Sequence, residues 1–73
     1  MLYAIEFIKQ SPGRPEPYVV DKMTGDFRDD AEAVGQAKAR FTDAHVRSHA
    51  EGFRVLENET REVRTWWIDW LDV

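Results

Sequence analysis

His45 and His49 stand four residues apart in TDAHVRSHAE, and on a helix that spacing brings both imidazoles to one face. Two imidazoles at this distance are half of a metal site. A zinc-protease helix would also carry glutamate directly after the first histidine, where this chain has Val46. A third ligand would have to come from Asp43 or Glu51. The simpler expectation is two solvated histidines near a helix C-terminus, where positive charge is favoured. No metal or other cofactor is therefore assigned, and His45 and His49 stand as the candidate ligands.

The other reactive groups are scattered. Asp69 and Asp72 lie among Trp66, Trp67 and Trp70. Desolvation there would raise a carboxyl pKa and suit it to general-acid work. The ordinary setting for such groups is the wet edge of a sheet. Ser11 and Ser48 belong to no nucleophile constellation. SPGRP, residues 11–15, cannot be a phosphate loop because its prolines remove the amide donors that such a loop needs. Arg14 is expected to be exposed at its tip. With no catalytic residues to assign, the expectation is a protein that is not an enzyme.

The indoles and arginines point to binding instead. Strict alternation through FRVLE and REVRTWWIDW sends Phe53, Val55, Val63 and Trp67 to one face of a sheet. It sends Arg54, Leu56, Arg64, Trp66, Ile68 and Trp70 to the other. Trp and Arg are enriched at interface hot spots, so this second face is the expected partner-binding surface. The alternative use is stacking the bases of a single-stranded nucleic acid. Ten basic residues against fourteen acidic ones give a net charge of −4. That balance disfavours a phosphate partner and favours a protein, either itself or another.

The elements that position these residues follow from local pattern. LYAIEFI, residues 2–8, has one fully apolar face and a second nearly so, as a central strand does. KQSPGRPEP breaks regular structure, and YVVDKM reads as a second strand ending at the turn TGDF. Asp29 is placed to cap a helix, with Glu32 reaching back to it. That helix is expected from about Asp30 to about Glu51, with Val34, Ala37, Phe41 and Ala44 as its apolar stripe and Gly52 as its left-handed stop. FRVLE and REVRTWWID then form a hairpin around residues 58–60. A three-residue turn sets Glu57 opposite Arg61 and Val55 opposite Val63. The last segment has a rival reading, because Val63, Trp66, Trp67, Trp70 and Leu71 also recur at helical spacing. Its Thr, Trp and Ile favour a strand through about Ile68, with residues 70–73 a loose tail or arm.

DAEAVGQAKARF followed by EGFRVLENETREV resembles small uncharacterised bacterial proteins of ββαββ type. The resemblance covers about residues 29–66, and it implies the fold without bringing an activity to any residue. The expected architecture is a single α+β domain over residues 1–73: a four-stranded antiparallel sheet with one helix on one face. A domain this small buries only about 60% of its unfolded surface, and this one has no cysteine to cross-link it. Homo-oligomerisation is therefore expected. Met1 leads into a strand pattern rather than a secretory signal, and no apolar run reaches membrane length. A cytoplasmic protein-interaction module without membrane contact is the resulting expectation.

Overall fold

The computed structural model describes residues 1–58 and 60–68. In chain order they form β1 (Leu2–Lys9), β2 (Tyr18–Asp26), α1 (Asp30–Ser48), β3 (Gly52–Glu57) and β4 (Arg61–Trp67). The sheet order is β2-β1-β3-β4, with each neighbouring pair antiparallel. The architecture is the α+β ββαββ sandwich. The crossover through α1 places β3 on the free side of β1, so the most apolar strand becomes central. Tyr3, Ile5 and Phe7 point toward the helix, while Ala4 and Ile8 are buried on the opposite face. No described helix is long and apolar enough to cross a membrane.

Local chemistry sets each boundary. In the first hairpin the Arg14 N–H donates to the Ser11 carbonyl at 3.0 Å, and Gly13 has φ +80°. A turn with proline second and a positive φ third is type II, and glycine suits that third position. The Arg14 guanidinium lies 5.4 Å from the centre of the Tyr18 ring, so it is anchored rather than free. β2 continues through TGD, because Thr24 and Gly25 pair with Ala4 and Tyr3. The Asp29 carboxylate accepts the Glu32 N–H at 2.9 Å and caps α1. Ala33, Ala37, Phe41 and Ala44 form the buried stripe, whose alanines let the backbone approach the sheet.

The helix stops earlier than expected. His49, not Gly52, takes the left-handed conformation (φ 59°), and the Ala50 N–H bonds back to the Ala44 carbonyl. The imidazole of His45 supports this turn through a 2.7 Å bond to the Ala50 carbonyl. A carbonyl only accepts, so Nδ1 carries the proton in this bond. Gly52 is needed elsewhere. It opens β3 opposite Trp67, where a Cβ would collide with the Trp66 carbonyl oxygen and stand 3.0 Å from the Trp67 ring.

The second hairpin has the expected start, with Glu57 opposite Arg61 and Asn58 in the left-handed region (φ 52°). Its register then slips. Leu56 pairs with Glu62, but Val55 pairs with Arg64, leaving Val63 as the extra residue of a β-bulge. From Arg64 to Trp67 each side chain changes face relative to strict alternation. Trp66 therefore stands opposite Phe53 on the helix side, and Trp67 lies on the outer face.

A polar network closes the end of the sandwich where α1 and β4 begin. The buried Tyr3 hydroxyl donates to Asp30 at 2.6 Å, and Arg61 donates to Asp30 at 3.0 Å and to Glu57 at 3.0 Å. Burial and the Asp30 bond push the Tyr3 pKa up to about 12. The bonds from Tyr3, then Arg61, hold Asp30 below the usual carboxylate range. The two shifts act at opposite ends of the pH scale. The Asp30 contribution is present above the ordinary carboxyl pKa and is lost as pH falls through the lowered value. The Tyr3 contribution is complete below pH 10.0 and is lost as pH rises toward about 12. Tyr3→Phe is expected to lower the urea midpoint at neutral pH and to flatten its fall above pH 10.0. Equal alkaline slopes for wild type and variant would show that Tyr3 does not carry that leg.

Candidate functional site

Among the described residues β4 is an edge strand, bonded only to β3. Alongside it runs α1, in the same direction: Arg61 at the start of β4 meets Asp30 at the start of α1, and Ile68 shares a groove with His45 near the helix end. The seam between them holds two pockets in succession. The first, of about 530 Å³, is lined by Asp30, Val34 and Lys38 on the helix side and by Val63 and Arg64 on the strand side. The second, of about 470 Å³, is lined by Lys38, Phe41, Thr42 and His45 opposite Trp66 and Ile68, with Phe53 also in its wall. Lys38 belongs to both.

The second pocket is built from rings. Trp66 stacks on Phe53 at 5.4 Å and meets Phe41 edge-on at 5.0 Å. His45 stacks on Phe41 at 5.7 Å. Phe41 and Phe53 are buried and Trp66 and Ile68 are partly buried against them, so the wall of this pocket is apolar. The charges at the junction are positive. Among the described residues neither Lys38 nor Arg64 has an ion-pair partner, while Asp30 at the far end is occupied by Arg61 and Tyr3. The seam thus offers an apolar pocket beside two unneutralised cations.

The expected partner-binding face is divided by the bulge. Arg54 and Leu56 do lie on the outer face, opposite Glu6 and Ala4 of β1. Arg64, Trp66 and Ile68 do not join them: all three line the seam on the helix side. Trp67, expected in the core, is the indole on the outer face, where it borders a cleft of about 240 Å³ with the proline-rich loop. Trp70 lies outside the described residues. The outer arginine is also neutralised, since Arg54 Nε donates to Glu6 Oε1 at 2.8 Å and both side chains are largely buried. A row of arginines and tryptophans on one open face is not formed by the residues described.

Of the candidate metal ligands, His45 uses Nδ1 to bond Ala50, while His49 caps the helix through its left-handed backbone. Asp43 pairs with Arg47 at 3.2 Å, and Glu51 accepts the Gln10 N–H at 2.8 Å. Among the described residues no three histidine or carboxylate groups gather as a metal site. The residues that alignment by alternation misses are Lys38 and Phe41. The signal for their site was the change of apolar phase from Val63 to Trp66, an odd step in a strand that only an inserted residue reconciles.

Comparison with family models, with curated proteins and with solved structures finds no match to this chain.

Proposed function

We propose that the chain is a non-catalytic protein-interaction module that takes an extended peptide along β4. The observation that carries this reading is the coincidence of a sheet edge with two successive pockets walled by a helix. Strand addition uses main-chain hydrogen bonds for affinity and pockets for alternate side chains for specificity. Side chains two residues apart in an extended chain are about 6.8 Å apart on one face. That step matches Arg64 to Trp66 along β4. An antiparallel ligand would place an aromatic or large aliphatic residue over Trp66 and Phe53, and an acid two residues later beside Arg64 and Lys38. The bulge at Val63 confines pairing to the part of the edge from Arg64 onward.

Amide chemical shifts of the full chain test this with two acetylated, amidated pentapeptides, Thr-Trp-Val-Glu-Thr and Thr-Trp-Val-Lys-Thr. The acidic peptide is expected to bind at least about fivefold more tightly, because the cations at the seam attract one and repel the other. Its shifts should centre on Arg64 to Ile68 and Lys38 to His45, and Lys38→Glu should reverse the preference. Shifts confined to Leu56, Thr65 and Trp67, or no shifts at millimolar peptide, would overturn the reading.

A further inference from the structure

The rim of the apolar pocket is polar on its helix side. Lys38, Thr42 and His45 line it there, all three exposed, at steps of four and three that keep them on one face of α1. This rim has a direction. The Lys38 ammonium only donates a hydrogen bond, and the Thr42 hydroxyl donates or accepts. His45 stands at the far end, about 10.5 Å from Lys38 along the helix axis.

The protein's own contacts fix what His45 offers. Its Nδ1 bonds the Ala50 carbonyl at 2.7 Å and so carries the proton of the neutral ring. Stacking on Phe41, at an interplanar angle of 26°, holds the plane of the imidazole. Nε2 is thereby left as an acceptor, and no other hydrogen bond among the described residues reaches the ring. A histidine that served only the helix end would need the Ala50 bond alone, whereas this one also lines the pocket.

Resting on the reading of β4 as a peptide-accepting edge, we propose that the pocket selects an aromatic residue bearing a hydrogen-bond donor, tyrosine or tryptophan, over phenylalanine, with His45 Nε2 as the acceptor. A ligand residue over Trp66 directs its ring from the strand toward α1. The ring cluster of Trp66, Phe53 and Phe41 receives any aromatic face alike. Discrimination falls to the rim, where His45 is the lining side chain that accepts without donating into the pocket; Lys38 and the Trp66 indole only donate. Phenylalanine there displaces water from Nε2 and returns no hydrogen bond, which lowers affinity. The polarity agrees with that of the whole seam. Its donors, Lys38 and Arg64, take the ligand's carboxylate at one end, and its acceptor takes an O–H or N–H at the other.

The experiment compares acetylated, amidated Thr-Tyr-Val-Glu-Thr, Thr-Trp-Val-Glu-Thr and Thr-Phe-Val-Glu-Thr on the full chain at about pH 8, where imidazoles are neutral. Amide shifts give the affinities, and long-range proton–nitrogen correlation reads the two ring nitrogens of His45. The free protein should show the Nδ1-protonated ring. The tyrosine peptide should bind at least about threefold more tightly than the phenylalanine peptide. The tyrosine and tryptophan peptides should move the Nε2 resonance, and the phenylalanine peptide should not. His45→Phe, its fold checked by circular dichroism, should bring the tyrosine and phenylalanine peptides within about twofold of each other. Equal wild-type affinities, an Nε2-protonated ring in the free protein, or an Nε2 resonance indifferent to the tyrosine peptide would each overturn the proposal. If the phenylalanine peptide still shifts Lys38, Arg64 and Trp66 in that case, the edge reading survives and only the selectivity falls. No shifts from any of the three peptides removes both.

Discussion

Gly52→Ala is expected to cost about 3 kcal/mol or more, because a side chain is forced against backbone that has nowhere to go. A domain of 73 residues has only about 4–11 kcal/mol of total stability to lose. The added methyl group would meet the carbonyl oxygen of Trp66 across the β3–β4 ladder, with the Trp67 ring on its other flank at 3.0 Å. Relief requires β4 to move away from β3, which breaks the ladder that also holds Trp66 over Phe53. The Gly52 backbone itself is not left-handed, so the effect is one of space and not of conformation. Gly35 provides the control. It lies inside α1 with no atom within 4 Å of its would-be Cβ, and alanine there should stabilise the helix by about 0.5–1 kcal/mol. Urea unfolding followed by circular dichroism measures both. A loss below about 1 kcal/mol for Gly52→Ala would mean that β4 yields more easily than its packing indicates.

The same glycine shows how far sequence reading reached. Its proximity to a helix end suggested a left-handed cap, the commonest use of glycine there. The structure gives the cap to His49, whose neighbour His45 secures the turn through Ala50. Nothing local in SHAEG distinguishes these outcomes. The requirement for a bare Cα at Gly52 arises only when β4 lies against β3. Elements governed by local chemistry were legible: the Asp29 cap, the strand pattern of β1, the Glu57–Arg61 hairpin closure and the alanine stripe of α1. The ββαββ order followed from them.

The site was less legible because it depends on one inserted residue. Alternation from Glu57–Arg61 is right as far as Leu56–Glu62 and wrong from Val55 onward. Val63 and Trp66 both pack toward the helix although three positions separate them. That spacing is odd for a strand and natural for a helix, which is why the segment also read as a helix. A bulge resolves the conflict by keeping the strand and moving its phase. The consequence is more than a change of face for one indole. It takes Arg64 away from Arg54, sets it near Lys38, and turns a supposed open platform into a walled seam.

Phe53→Ala tests the floor of that seam. Phe53 is fully buried and lies between Trp66 at 5.4 Å and Phe41 at 6.3 Å. Truncating a buried phenylalanine costs about 3–5 kcal/mol, through lost burial and the cavity left behind. For a domain of this size that corresponds to a fall in melting temperature of at least about 12 °C. Trp66 should also lose its stacking surface and emit further to the red. Val46, 71% exposed on α1, is the contrast: Val46→Ala should stay within about 0.5 kcal/mol of wild type. A Phe53→Ala shift no larger than that of Val46→Ala would mean that the ring cluster is not the keystone of the β3–β4 side. Because Phe53 holds both the fold and the apolar pocket, its loss cannot separate stability from binding. Lys38 and Arg64 can, since they lie at the rim of the seam and neither belongs to the buried cluster. Charge reversal at those two positions should change what the seam accepts while leaving the unfolding transition nearly where it was.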